Sequence, residues 1–302
     1  LQASSLRLAL NKAGLAGLIG KAEDAPVVAA LSEGETLIQS VDGFPSLISD
    51  AWLNARLTTL HACSDVWATG GVVISAQPLI TLPSISAGLQ EELLVQILQG
   101  IKSVLEPQGA QLLGGHTMES RSTPQACIPL GIDIGLTVNG LVADNKKCWM
   151  KDGLQSGDVI LLSREIGSGV LFAAAMKGNI SSINVDLALS TMNTSQHFLI
   201  EDLVRFQEER VGVNAFHACT DITGFGLLGH LNEILQSSNS LRLLSGLAPL
   251  KIKLEPERIP VFSGVLDLFE KGYASTSAPA NRKFWNLFNS TLDSPALFEL
   301  SP

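Results

Sequence analysis

A chain of 302 residues, 46% hydrophobic and 16% charged, can fill one large or two medium cores and leaves no room for long disordered tracts. Its formal net charge of −9 excludes nucleic-acid binding as a main task, because affinity for a phosphate backbone needs a basic footprint. An acidic chain that handles polyphosphate does so through metal ions.

In chain order, Leu6, Leu10, Leu15 and Leu18 keep helical spacing and predict a helix, or a helix plus turn, over residues 1–19. Two strand-like runs follow, Val27 to Leu31 and Thr36 to Val41, joined by the turn at 32–35. Asp24 stands just before the first run and Asp42 just after the second, at one end of a hairpin. There the two carboxylates could converge, or they could be ordinary aspartates of surface turns. Ser49 and Asp50 are N-cap candidates for a helix to about Trp67, with Trp52, Arg56, Leu60 and Cys63 on one face. His61 and Asp65 share a face of that helix. A carboxylate near a helix C-terminus opposes the macrodipole, so Asp65 calls for a compensating partner such as a cation.

Val72 to Leu82 predicts a buried strand, and Leu89 to Leu105 an amphipathic helix that stops before Pro107. The uncharged run Val66–Gln90 has the length of a membrane span, but Pro78, Pro83 and several polar residues interrupt it, and no membrane role is expected. Leu112–Thr117 is a short apolar strand running into Gly114 and Gly115, Glu119 to Gln125 a mobile polar loop, and Ile128 to Val142 a long strand or bulged pair containing Asp133.

The apolar pattern breaks near residues 146–156, which divides the chain into domains 1–150 and 151–302. In the second, Val159–Leu162, Ala215–Cys219 and Leu250–Leu254 read as strands. Gly167-Ser168-Gly169 opens a helix and is a weak phosphate cradle, and further helices are expected around 186–192, 198–207 and 261–271. Thr220-Asp221 ends a strand, and Gly224 and Gly226 punctuate the turn into a helix through Leu227, Leu228, Leu231 and Ile234. Glycines there admit close backbone approach, helix N–H groups favour an anion, and Asp221 suits a divalent cation between carboxylate and phosphate. Taken alone, the same stretch also reads as a plain strand–turn–helix with Asp221 as a cap. Cys63, Cys127, Cys148 and Cys219 lack paired metal-type spacing and fit a reducing compartment, so a cytoplasmic location is expected. A Gly-Lys-Ser/Thr phosphate loop is absent.

In combination, Glu23-Asp24-Ala-Pro-Val, Val41-Asp42, His61-Ala-Cys-Ser-Asp65, Leu113-Gly-Gly-His-Thr-Met-Glu119 and Cys219-Thr-Asp-Ile-Thr-Gly-Phe-Gly-Leu-Leu-Gly-His230 resemble selenide, water dikinase (selenophosphate synthetase). That family lies in the aminoimidazole-ribonucleotide-synthetase-like ATP-binding superfamily. The resemblance implies a mixed α/β fold of two domains, with N-terminal domains pairing into a β-barrel in a homodimer. It implies synthesis of selenophosphate from selenide, ATP and water, releasing AMP and orthophosphate. By the same resemblance Asp24, Asp65 and Asp221 hold Mg2+ and Asp42 belongs to the acidic cluster around ATP. Gly114, Gly115, His116 and Thr117 lie along the nucleotide, and Gly224 and Gly226 face phosphate. Potassium is a further implied cation. Glu119 stands where the family often has Asp.

The His-Ala-x-Ser-Asp form and the run from Thr81 through Leu94 look most like the version fused behind a flavoprotein domain. The family's reactive Cys or selenocysteine and its Lys are expected before Leu1, and its Gln-Thr-(Ser/Ala)-Gly-Gly stretch after Pro302; activity is expected to depend on those pieces. The alternatives are a non-catalytic ATP-binding paralogue, or another kinase or synthetase of the superfamily such as thiamine-monophosphate kinase.

Overall fold

A computed structural model describes residues 24–25, 27–31, 34–120, 131–143, 147–210 and 214–285, with Lys12 alone before them. The helix expected over 1–19, Cys127 and most of the expected loop 119–125 lie outside the described residues. The chain forms two compact units: Asp24–Trp149 with Met192–Ala215, and Met150–Thr191 with the residues from Phe216 onward.

The first unit is built on a six-stranded sheet: β1 (Val27–Ala30), β2 (Thr36–Pro45), β3 (Val72–Leu82), β4 (Gln111–Leu112), β5 (His116–Glu119) and β6 (Asp133–Val142). Strand order is β1-β2-β6-β3-β4, with β5 also on β3. The β1–β2, β2–β6 and β6–β3 pairs are antiparallel, while β4 and β5 run parallel to β3. Two helices pack on the sheet, α1 (Ala51–Ala68) and α2 (Ala87–Leu105). Asp50 caps α1, its carboxylate accepting the Leu53 N–H at 2.7 Å. Burial alternates strictly along β6, and the inner row Ile134, Leu136 and Val138 meets Ile38, Ile80, Ile97 and Ile101 in the core. Glycines set the spacing of the layers. A Cβ on Gly100 of α2 would lie 2.3 Å from the Trp52 carbonyl of α1, and one on Gly140 of β6 would lie 2.4 Å from Val66. Thr58 and Thr59 are fully buried in α1 because their hydroxyls donate to the carbonyls of Asn54 and Ala55 one turn back.

Two sequence expectations shift here. Asp42 lies inside β2 rather than after it, and the single strand expected over Leu112–Thr117 is two, β4 and β5, with Gly114 and Gly115 between them. β2 runs on because β6 offers an unbroken partner for it from Val142 to Asp133.

The second unit contains α3 (Ser168–Ala175), α4 (Ser182–Met192), α6 (Gly226–Leu244), α7 (Val265–Glu270) and α8 (Ala278–Trp285), while α5 (His197–Glu208) packs with the first. Its core gathers Ile166, Val170, Leu171, Leu227, Leu231, Phe262 and Val265. The strands expected at 159–162, 215–219 and 250–254 do not form ladders; among the described residues this unit has one isolated parallel bridge, Ile166 to Val261. Val159 and Leu161 are 80% and 77% exposed, so their apolar run has no sheet to enter. Leu250 finds a substitute partner, since the Asn239 side chain of α6 accepts its N–H at 2.6 Å and donates to its carbonyl at 3.1 Å. Gly167 (φ 110°) is needed for packing, because a Cβ there would lie 2.6 Å from Val265.

Candidate metal and nucleotide site

On the inner face of β2, Ser40 and Asp42 are two residues apart, a rise of about 6.6 Å. On α1, Asp65 and His61 are four apart, a rise of about 6 Å. The two spacings match, and the pairs meet in antiparallel order. The Ser40 hydroxyl donates to Asp65 Oδ2, and His61 Nε2 lies 2.9 Å from Asp42 Oδ2. The Gly43 N–H adds a 2.6 Å bond to Asp42 Oδ1, and the His61 ring lies against Phe44 at 5.2 Å. Burial pushes the Asp42 carboxyl up, but the bond to His61, its charge and the Gly43 N–H outweigh that and hold it below the usual range.

Asp65 sits in the last turn of α1, where its carbonyl accepts the Thr69 N–H and hydroxyl. Asp24, ahead of β1, brings a carboxylate oxygen within 4.8 Å of one from Asp65, and both residues are half-buried. Two such anions repel by about 3 kcal/mol at an effective dielectric of about 20. Hard carboxylate oxygens at this separation fit a magnesium or calcium ion, which would reverse the sign of that interaction.

The Gly114–Thr117 stretch owes its shape to Pro78. Ala76 and Leu82 turn their carbonyls toward β4 and β5, accepting from Leu113 and Ser120, so Pro78, in the same alternation, faces that side as well. A proline has no N–H to donate there. The parallel ladder breaks at that point: β4 pairs with Ser75 and Ala76, and β5 resumes opposite Leu79. Gly114 (φ 99°) and Gly115 (φ 158°) bridge the gap, and a Cβ on Gly115 would stand 2.4 Å from the Pro78 carbonyl. Gly114 to Thr117 are exposed. Glu119 has a structural task, accepting from Gln90 Nε2 at 2.8 Å and Ser84 Oγ at 2.9 Å, and these bonds lower its pKa.

In the second unit, Asp221 is half-buried in the loop that leads to α6, and Gly226 (φ 67°) is the first residue of that helix. The loop is held from beneath by residues that motif reading did not single out. Buried His230 accepts the Thr223 N–H on Nε2 at 3.1 Å, which places its ring proton on Nδ1. Nδ1 faces Glu233 Oε2 at 3.7 Å, beyond a hydrogen bond, and Lys151 Nζ approaches the same oxygen at 3.5 Å. Burial pushes Glu233 up, but His230 and Lys151 more than offset it and keep its carboxyl low. Asn281 Nδ2 donates to the Gly224 carbonyl at 3.1 Å. His230 was detectable in principle as a polar residue on the otherwise apolar row of Leu227, Leu228 and Leu231. Glu233, Lys151 and Asn281 carry no local signal. Cys63 is a core residue, its thiol pushed up to about 12 by burial, with a bond to Gln108 acting weakly the other way. No helix among the described residues is long and apolar enough to cross a membrane.

Residues 22–142 match the profile of AIR synthase related protein, N-terminal domain, and residues 155–275 that of the C-terminal domain. The chain is 31% identical over 267 residues to a selenide, water dikinase of Nitratidesulfovibrio vulgaris (strain DP4), covering 87% of this chain and 66% of the relative. A second, from Nitrosomonas eutropha (strain DSM 101675 / C91 / Nm57), is 30% identical, covering 76% and 61%. The chain thus spans about two thirds or less of these relatives' length. Among solved structures, AaThiL complexed with AMPPCP and TMP superposes with a TM-score of 0.63 at 20% identity, over 93% of this chain and 81% of that one. The HypE-HypF complex gives 0.62 at 18%, over 89% and 82%. At these identities the superpositions speak for a mixed α/β fold of two domains.

Proposed function

We propose that this chain, which belongs to the AIR synthase related family, makes selenophosphate from selenide, ATP and water, releasing AMP and orthophosphate, as part of a longer protein. The likeness to selenide, water dikinases over 87% of the chain carries this reading. The paired carboxylates of Asp24 and Asp65 support it chemically. Asp24, Asp65 and Asp221 would hold Mg2+, which supplies charge neutralisation to the phosphates when bound. Asp42, held ionised by His61, keeps negative charge beside that cation. Backbone N–H groups at Gly114, Gly115 and Gly224 bind and orient phosphate oxygens, Gly226, whose own N–H donates to the Thr223 carbonyl at 2.9 Å, admits close approach, and His116 and Thr117 line the nucleotide. Potassium remains a further candidate cation.

The test is phosphorus NMR of the full-length protein with ATP, magnesium and selenide. Selenophosphate beside AMP is expected, and ADP as the sole nucleotide product would overturn the reading in favour of another kinase of the family. No turnover with retained ATP binding would favour a non-catalytic paralogue. The fused flavoprotein domain and a cytoplasmic location belong to the same proposal, and sequencing upstream of Leu1 tests the fusion.

We also propose that the active form is a homodimer joined through the outer face of the sheet. Helices cover the inner face, whereas Val41, Val72, Leu79 and Met118 stand exposed on the outer one, around a polar row in which Gln39 donates to Asn139 and Asn139 to Ser75. Val41 is 72% exposed at the middle of β2. Val41→Glu is expected to halve the sedimenting mass without lowering helix content; an unchanged mass would refute this interface.

A further inference from the structure

The first unit holds a cavity of about 290 Å³ between α1, the end of α2 and the start of α5, lined by Arg56, Ser103, Asn193, Thr194, Ser195 and His197 among others. It is separate from the carboxylates described above. Arg56 and Asp65 are nine residues apart on α1, about 14 Å along the axis and half a turn around it.

Three features of the cavity share one sign. The Arg56 guanidinium is tied to neutral acceptors: Nε donates to Asn193 Oδ1 at 2.5 Å, one terminal nitrogen to the Ser103 carbonyl at 2.8 Å and hydroxyl at 2.9 Å, and the other to the Asn193 carbonyl at 3.2 Å. Among the described residues no carboxylate lines the cavity or pairs with this cation, and the acidic group that acts on His197, Glu201 one turn along α5, lies outside the lining. Next, His197 is only 6% exposed, and its Nε2 has no hydrogen-bond partner. Ser195 Oγ, which already accepts the His197 backbone N–H at 3.4 Å, lies 2.7 Å from Nδ1 and can donate its hydrogen there. The ring proton then sits on Nε2 as a buried donor. Such a group is destabilising while it stays unanswered. Finally, Asn193, Thr194 and Ser195 of the lining lead into α5, a 12-residue helix that begins at His197 and whose cap makes no side-chain hydrogen bond. Its first N–H groups add a positive end.

A partly buried cation with no carboxylate in the lining, a buried histidine whose Nε2 has no partner and a helix N-terminus border one cavity, and together they favour an anion that accepts hydrogen bonds. We propose that this cavity binds a small oxyanion of the phosphate type, either orthophosphate or a small phosphomonoester, through Arg56 and His197. Its position gives it no share in holding the catalytic metal, so it would act as an effector site or a subsite for an additional ligand.

Calorimetric titration of the full-length protein at constant ionic strength, without magnesium or nucleotide, tests this. Inorganic phosphate and glycerol 3-phosphate are the two probes. Saturable binding in the millimolar range or tighter is expected for at least one, weakened tenfold or more in Arg56→Gln and in His197→Phe, and unchanged in Asp65→Ala. Tighter binding of the ester would assign the site to phosphomonoesters; binding of phosphate alone would assign it to the free ion. Arg56→Gln also loosens the tie between α1 and α2, so His197→Phe, which leaves that tie intact, is the decisive variant. A shift of the His197 ring nitrogen signals on titration gives a second readout in the unaltered protein. No saturable binding of either probe, binding unaffected by His197→Phe, or the same response to chloride would overturn the proposal.

Discussion

Asp65→Ala is expected to lower magnesium-dependent ATP consumption by about two to three orders of magnitude while the protein stays folded. A metal ion that neutralises phosphate charge is worth several kcal/mol at the transition state, and about 3–4 kcal/mol corresponds to that factor. The structural loss is smaller. Ser40 loses the acceptor of its hydroxyl, a cost of about 1–2 kcal/mol. Relief of the repulsion between Asp65 and Asp24 offsets it. Without magnesium the variant should therefore melt close to the parent. With magnesium the parent should gain stability and the variant should not, because ligand binding to the folded state raises the melting temperature. Asp221→Ala should behave alike. Turnover and a magnesium-dependent melting shift retained in both variants would defeat the metal assignment.

His230→Leu should cost about one to two orders of magnitude in turnover, although His230 touches no substrate in this scheme. It acts as a positioning residue: its Nε2 accepts the Thr223 N–H, two residues after Asp221 and one before Gly224. Leucine fills the space but accepts nothing, so the loop backbone is free to shift. A misplacement of about 1 Å in such a site can cost about a hundredfold. His230→Gln separates positioning from simple packing, because the glutamine carbonyl can accept the same N–H. Partial rescue by Gln, with both variants equally stable to urea, is the expected outcome. Full activity in His230→Leu would show that Thr223 is held by other means.

What could be read from the residues depended on how local the cause was. Asp50 announced the start of α1, Pro107 the end of α2, and the bounded apolar run Val72–Leu82 gave β3 to the residue. Runs of the same character at 159–162 and 215–219 misled, because a strand needs a ladder of partners alongside it, and among the described residues 215–219 gains a single backbone bond, from the Cys219 N–H to the Met150 carbonyl. Asp24 was placed as a candidate to meet Asp42 across a hairpin. Asp42 instead pairs with His61, and it is Asp65 that Asp24 approaches. The reason is the extension of β2 through Asp42, which turns that side chain onto α1. Motif reading found Asp221 and its glycines but not the buttress of Lys151, Glu233 and Asn281. Lys151 and Glu233 are 82 residues apart in the chain, Asn281 lies further on still, and the three meet only after the second core has formed.

Pro78 shows how a sheet can be made to end part-way along one of its own strands. A strand normally commits every second peptide group to its neighbour, and such commitments leave nothing for a visitor. By removing a single donor on the side of β4 and β5, the proline makes continuous pairing unprofitable for two residues, and the chain detours there through Gly114 and Gly115. The detour's peptide groups stay uncommitted to the sheet while its flanks remain anchored to it. Flexible loops that reach for ligands must first give up conformational freedom. This one is stretched between two fixed points of a rigid strand, so most of that entropy was surrendered when the domain folded.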